Sequence, residues 1–387
     1  MTFRSSRGVA VALVTLATFT DLVAYSICVP VLPDLARRLG ASATMIGLLF
    51  ASFGLTLVAV GVPMGAVSDR AGRRLPLVGG MLALAGSTAA FAVADTLPWL
   101  FTARLIQGAA DGVTWVVGLA LVADLYGPED RGRVMGYVMS GTSVGIIVGP
   151  SIGGWLYEAG GVALPFLFAS GLSLACAVGF AWIRPAATPA ERPRQSIWSL
   201  ARAPAVALCI VAVVVTGATI AMLEPVLSLF FDGALFLGPA DIGLLFGAAA
   251  VAGAVMPFVY GPMTDRWGGR RLTLLGLALT ALWMPMMATA AGFSSALAII
   301  VVLWIAIALI ITPSLAYMAE VTASAGGDAY GVGYGLYNTA WGVGLLGGPA
   351  LGGWLFERLG FATLTVSWSL GVLIVTSMLA VARPRSG

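Results

Sequence analysis

The sequence predicts an all-α membrane protein with twelve transmembrane helices in two pseudo-symmetric six-helix bundles. Three observations predict it. Mean hydropathy is +0.99, and 10% of the 387 residues are charged, where a soluble domain carries about 25%. Apolar stretches of about 20 residues recur along the chain, each long enough to cross ~30 Å of hydrocarbon as a helix. Two motifs also occur twice, roughly half a chain apart.

The spans are expected at 9–32, 44–66, 76–94, 99–122, 132–155, 162–183, 205–231, 240–262, 272–290, 295–320, 331–355 and 361–382. Arg4 and Arg7 precede the first, which is too long for the apolar region of a secretory signal and lacks a clear small-residue cleavage site. All 20 basic residues are arginine. With both termini in the cytoplasm, sixteen of them face inside and three (Arg37, Arg38, Arg358) face outside, while Arg104 lies within a span. That is a positive-inside bias. The net charge of +3 therefore reports topology and gives no reason to invoke nucleic acid. Cys28, Cys176 and Cys209 lie in spans without metal-ligand spacing and are expected to pack.

The repeats define the domains. "GAVSDRAGRR" (65–74) returns as "GPMTDRWGGRR" (261–271), and "VGPSIGGWLYEAGG" (148–161) returns as "GGPALGGWLFERLG" (347–360). Offsets of about 196 and 199 with the same orientation mean a parallel duplication of six spans. Residues 1–183 form one bundle, the Pro- and Arg-rich stretch 184–204 a cytoplasmic linker, and residues 205–387 the second bundle. Such an architecture is expected to hold its substrate in a central cavity at mid-membrane.

Ionisable groups inside the spans point to function. A charge at the bilayer centre costs roughly 2.5–3.5 kcal/mol on insertion scales, yet Asp21 lies midway along the first span and Glu224 midway along the seventh. An acid facing a cavity holds either a proton or a cationic substrate, which is the simplest form of proton/cation exchange. A hydrogen bond between helices is the plainer role for either acid. Pro225 removes the amide that would bond to Ala221 and weakens the helix beside Glu224. Arg104, Gln107 and Asp111 share the fourth span; Arg104 and Asp111 are about 10.5 Å apart along the axis and cannot pair directly, so Arg104 is expected to tune Asp21 or Asp111 from across the bundle. In the eleventh span Tyr330, Tyr334, Tyr337 and Trp341 share a face beside Asn338, the only asparagine. Aromatic faces hold organic cations or simply pack. Tyr25, Phe50, Phe53 and Phe230 are further candidates for lining the cavity.

The repeated loop is either a topology anchor or a breakable latch on the cytoplasmic side. Its gating candidates are Asp69, Arg70, Arg73 and Arg131 in the first half and Asp265 and Arg266 in the second. Gly141, Gly145 and Gly149 recur every four residues in the fifth span, a face that lets helices approach closely in lipid.

"GAVSDRAGRR" resembles the signature loop of the major facilitator superfamily, and "GTSVGIIVGPSIGG" (141–154) looks like the antiporter motif of its drug:proton exchangers. "FTDLVAYSICVPVLP" (19–33), "IGLLFAS" (46–52), "RLIQG" (104–108), "EDRGRVMG" (129–136), "IAMLEP" (220–225) and "YGVGYGLYNTAW" (330–341) follow in order and resemble the vesicular monoamine and acetylcholine transporters and their bacterial relatives. The resemblance implies acids at Asp21 and Glu224 required for substrate recognition and coupling. It also implies a lysine where Phe53 stands and aspartates where Asn338 and Ala308 stand, so two acids and one base of that network are absent. Neither the long lumenal loop nor an Asn-x-Ser/Thr acceptor is present, which favours a bacterial plasma membrane.

The expected protein is a monomeric secondary carrier in the lipid bilayer, exporting an organic cation, amine or amphipathic drug in exchange for protons, with no cofactor and no metal. A neutral-solute exporter is the alternative. With no histidine and no lysine, His-based triads, Lys Schiff bases and His metal sites are excluded, and an enzyme is not expected.

Overall fold

The computed structural model describes residues 7–183, 200–324 and 332–382. The described residues fold almost entirely into helices: α1 (Arg7–Arg38), α2 (Ala43–Ala71), α3 (Arg74–Ala92), α4 (Leu97–Leu125), α5 (Pro128–Gly160), α6 (Ala163–Trp182), α7 (Pro204–Leu235), α8 (Pro239–Val255), α9 (Pro257–Trp267), α10 (Gly269–Trp283), α11 (Phe293–Ser324) and α12 (Val332–Val381). Ten helices are long and apolar enough to cross a membrane, and α8 with α9, bent by 42°, makes one more. The 50-residue α12 is broken at Gly360 (φ 74°) and counts as two spans. Among the described residues these make twelve spans, and the chain is a helical multi-pass membrane protein. Most of the proposed linker, residues 184–199, lies outside the described residues, as does Tyr330.

Breakers sit where the turns are. Proline opens α4, α5, α7 and α9 near their first positions, where its missing N–H leaves no extra orphan. The two copies of the repeated loop turn at Gly72 (φ 78°) and Gly268 (φ 84°), a left-handed conformation open to glycine at little cost.

The chain divides into two compact units. The first comprises 1–42, 52–192 and 238–247, and the second 43–51, 193–237 and 248–387. A cut at the linker therefore misses two short exchanged pieces, 43–51 and 238–247.

In the first unit α5 packs along α1. Its glycine row makes this possible: a Cβ at Gly141 would lie 2.6 Å from the Thr15 carbonyl oxygen, and one at Gly145 2.6 Å from that of Phe19. The exchanged piece 238–247 is held by Ser151, whose Oγ donates to the Gly243 carbonyl at 3.2 Å, and by Glu158, which accepts the Ala240 N–H at 3.2 Å.

The second unit repeats the scheme. Its α12 packs along α7, with Gly344, Gly348 and Gly352 against residues 214–222. Glu357 accepts the Thr44 N–H at 2.8 Å, as Glu158 does for Ala240. Each repeated "GGWL" motif thus carries a carboxylate at the first turn of a helix, where exposed N–H groups and the helix dipole favour negative charge.

Candidate functional site: buried acids and a cradled arginine

In the first unit Arg104 of α4 lies within the helix bundle. On α4, Arg104, Gln107, Gly108 and Asp111 follow at helical spacing and share one face. A Cβ at Gly108 would collide with the backbone of Phe53, so α4 and α2 approach closely there. That closeness sets the Arg104 guanidinium 4.8 Å from the Phe53 ring centroid and 5.2 Å from that of Tyr25, while the two rings are 4.9 Å from one another. Arg104 is fully buried (0% exposed). It donates to Gln107 Oε1 at 2.6 Å, and Gln107 Nε2 in turn donates to the Ala24 carbonyl at 3.2 Å. A desolvated cation between aromatic faces gains about 2 kcal/mol from such contacts. Tyr25 and Phe53, expected as cavity lining, are here the walls that hold an internal cation.

Asp21 lies on α1 within the same bundle, 1% exposed. Asp111 of α4 acts on it electrostatically, and the Arg104 charge in turn acts on Asp111. Behind Asp21, Thr20 Oγ1 lies 3.5 Å from Cys176 Sγ of α6. Packing of α4, α5 and α6 around α1 leaves Asp21 buried.

In the second unit Glu224 is 8% exposed on α7, directly before Pro225. Its backbone carbonyl accepts Ser228 Oγ at 3.0 Å. Phe230 stacks on Phe361 at 3.9 Å between centroids. Tyr337 is buried with its hydroxyl 3.2 Å from Ser314 Oγ and its ring stacked on Trp341 at 6.2 Å; it packs among Val206, Cys209, Val213 and Met318. These contacts match the packing alternative for that aromatic face. Asn338 is exposed, and Phe50 is buried in the exchanged piece 43–51. Nothing is described of the Tyr334 side chain.

The loop after α2 builds a buried ion-pair network. Arg73, whose side chain is 5% exposed, contacts Asp69 at 2.6 Å and Asp124 of α4 at 2.8 Å, and donates to Ser68 Oγ at 2.6 Å. Burial works against the charge on Arg73, but the Asp124 and Asp69 carboxylates outweigh it and hold its pKa above the ordinary arginine value. Arg131 closes the end of α4 by donating to the carbonyls of Ala123 and Tyr126. Asp124 escaped the sequence reading, although an acid, Glu320, stands at the same spacing from the second copy of the loop.

The two copies are not equivalent. The place of Arg73 is taken by Gly269, where a Cβ would lie 2.7 Å from the Pro313 carbonyl oxygen. Among the described residues Asp265 and Arg266 make no ion pair, and neither does Arg70. The following arginines do correspond: Arg74 donates to the Phe180 and Ala181 carbonyls ending α6, and Arg270 to those of Leu379 and Ala382 ending α12. No group of three or more metal-ligating side chains occurs among the described residues.

A sequence model described as the Major Facilitator Superfamily matches residues 14–236 and again 209–386. The chain belongs to the Major Facilitator Superfamily. The double match follows the internal repeat, and membership makes the chain a membrane transporter and not an enzyme. Among curated relatives, the MFS-type transporter SLC18B1 of Mus musculus is 27% identical over 372 residues, covering 90% of this chain and 81% of its own. The vesicular acetylcholine transporter of Drosophila melanogaster is 27% identical, covering 93% of this chain and 69% of its own. Multidrug resistance protein 1 of Bacillus subtilis (strain 168) is 25% identical, covering 92% of each. Among solved structures, a bacterial homolog of the human lysosomal transporter Spinster superposes with a TM-score of 0.81 over 97% of this chain and 96% of its own, at 13% identity. That likeness establishes the superfamily fold.

Proposed function

We propose that this transporter is a proton-coupled antiporter that exports an organic cation, an amine or an amphipathic drug, by alternating access. The observation that carries the proposal is the placement of one acid midway along the first helix of each half, Asp21 in α1 and Glu224 in α7, both buried. Taking a charged carboxylate out of water is costly, and either a proton or a bound cation reduces that cost. The two therefore compete for the same charge. Proton uptake from one side and cation release to it become alternatives, which is the condition for exchange. The likeness to a vesicular acetylcholine transporter and a multidrug resistance protein supports a cationic, amphipathic cargo. The arginine distribution supports cytoplasmic termini in a bacterial plasma membrane, and the chain is expected to act as a monomer without cofactor, protons being the coupling ion.

Thermal unfolding of the purified protein against a panel of amines, at two pH values, tests this. A cognate amine at 100 times its dissociation constant stabilises the fold by about 2.7 kcal/mol. The stabilisation is expected to shrink at the lower pH, where protons compete, and to be lost in Glu224→Gln. Stabilisation by uncharged sugars instead, unchanged between the two pH values, would overturn the cationic assignment in favour of a neutral solute.

A further inference from the structure

The second copy of the repeated loop leaves most of its charge unspent. In the first copy Arg73 is bound to Asp69 and Asp124, and Arg74 to the carbonyls ending α6. Arg70 is then the one arginine of that loop left exposed without a partner among the described residues. In the second copy Arg270 holds the carbonyls ending α12. Arg266 and Arg271 are both exposed, and neither makes an ion pair or a side-chain hydrogen bond among the described residues. Arg271 stands where the first copy has Leu75, and Trp267 where it has Ala71.

One tight turn presents these side chains together. α9 ends at Trp267, the chain turns at Gly268 (φ 84°), and α10 begins at Gly269. Gly269 is pressed against α11, where a Cβ would lie 2.7 Å from the Pro313 carbonyl oxygen and 3.0 Å from Tyr317 Cβ. The turn is therefore backed on one side and open on the other. Trp267 is 55% exposed, and its indole N–H has no partner among the described residues. Two acids are near: Asp265 in the turn itself, and Glu320 of α11, whose charge reaches Tyr317 together with that of Arg270. Three arginines against these two carboxylates leave the turn positive.

α8 and α9 together make one membrane span, and the topology proposed above puts this end at the cytoplasmic leaflet, which carries anionic lipids. Tryptophan favours the headgroup level, where its ring is in apolar surroundings and its N–H is wet. A guanidinium meets a phosphate as a two-pronged donor. We propose that the turn 265–271 is a docking site for an anionic phospholipid. Arg266 and Arg271 take the headgroup phosphate, and Trp267 lies beside the glycerol and upper acyl chains. The first copy, with Ala71 and Leu75 in the corresponding places, does not form such a site.

Lipid binding to the full-length protein tests this. Native mass spectrometry from detergent with added phosphatidylglycerol reads the affinity. Arg266→Gln and Arg271→Gln are each expected to weaken it about fivefold, the effect of one basic residue at an anionic surface, while Arg70→Gln leaves it unchanged. A second readout is local to the turn. The chain has 11 tryptophans, and the fluorescence difference between wild type and Trp267→Phe isolates one of them. That difference is expected to be quenched more by phosphatidylglycerol brominated on its upper acyl chain than by brominated phosphatidylcholine. Equal binding of phosphatidylcholine, no loss in either arginine variant, or an equal loss in Arg70→Gln overturns the proposal. Full displacement of the lipid by inorganic phosphate at the same concentration overturns it too, since the acyl chains would then contribute nothing.

Discussion

Phe236 ends α7 in the left-handed conformation (φ 54°) with its side chain 88% exposed. Its repeat counterpart is Gly40, which takes the same turn at φ 84°. A non-glycine residue there is strained by roughly 1–2 kcal/mol, partly offset by the chain entropy that glycine loses on folding. Phe236→Gly is thus expected to raise the unfolding temperature slightly, by up to about 1 kcal/mol in stability. Arg73 makes the opposite case. Removing it takes the paired cation away from the buried Asp124 carboxylate, so Arg73→Ala is expected to cost about 3–5 kcal/mol, while Arg133→Ala, whose pair with Asp130 is exposed, costs at most about 1 kcal/mol. Thermal unfolding in detergent separates the two. At this scale the sequence was informative wherever a charge interrupts an apolar run, because such a residue has few inexpensive explanations. Asp21, Arg104 and Glu224 were legible for that reason. Their neighbours were not: Asp111 acts on Asp21 across 90 residues of chain, and only the packing of α1 on α4 brings the two near one another.

Helices in this protein are held by small residues and by caps. Gly149 faces Ser26 so closely that a Cβ would overlap its hydroxyl, so Gly149→Val is expected to destabilise by about 1–3 kcal/mol through forced separation of α1 and α5. Gly136, on the same helix with open space around its Cα, is expected to tolerate alanine and to gain up to about 1 kcal/mol of helix propensity. Glu158 and Glu357 cap α8 and α2. Replacing either by glutamine keeps an acceptor and removes the charge, for an expected loss of about 0.3–1 kcal/mol each, read as a drop in melting temperature that added salt diminishes. The glycine row was legible as a close-packing face from its four-residue spacing alone. Which helix it packs against was not, since spacing carries no information about the partner. The aromatic row at Tyr337 and Trp341 shows the same limit: a shared helical face was visible, but whether it meets a cavity or a core depends on neighbours such as Val206 and Met318.

As a whole, the molecule follows a duplication that the sequence declares twice, and the match to one superfamily in both halves agrees with it. The duplication is followed in the caps at Glu158 and Glu357 and in the arginines at 74 and 270, and broken at Arg73 and Gly269. Identical-looking loops therefore do different work: one carries a buried ion-pair network and the other a close helix crossing. The break was visible as an Arg-to-Gly change, but its meaning needed the position of Asp124. The exchanged pieces 43–51 and 238–247 were hidden because nothing in local composition marks where a helix changes neighbours. The same duplication supplies one membrane acid per half, and the functional account turns on both being able to trade a proton for a cation. Exchange in proteoliposomes measures this directly. With an imposed pH gradient, the wild type is expected to move an amine identified by binding against the proton flow, and Glu224→Gln, present in the membrane in equal amount, to lose that gradient-driven movement. Full coupled exchange by Glu224→Gln would contradict the account.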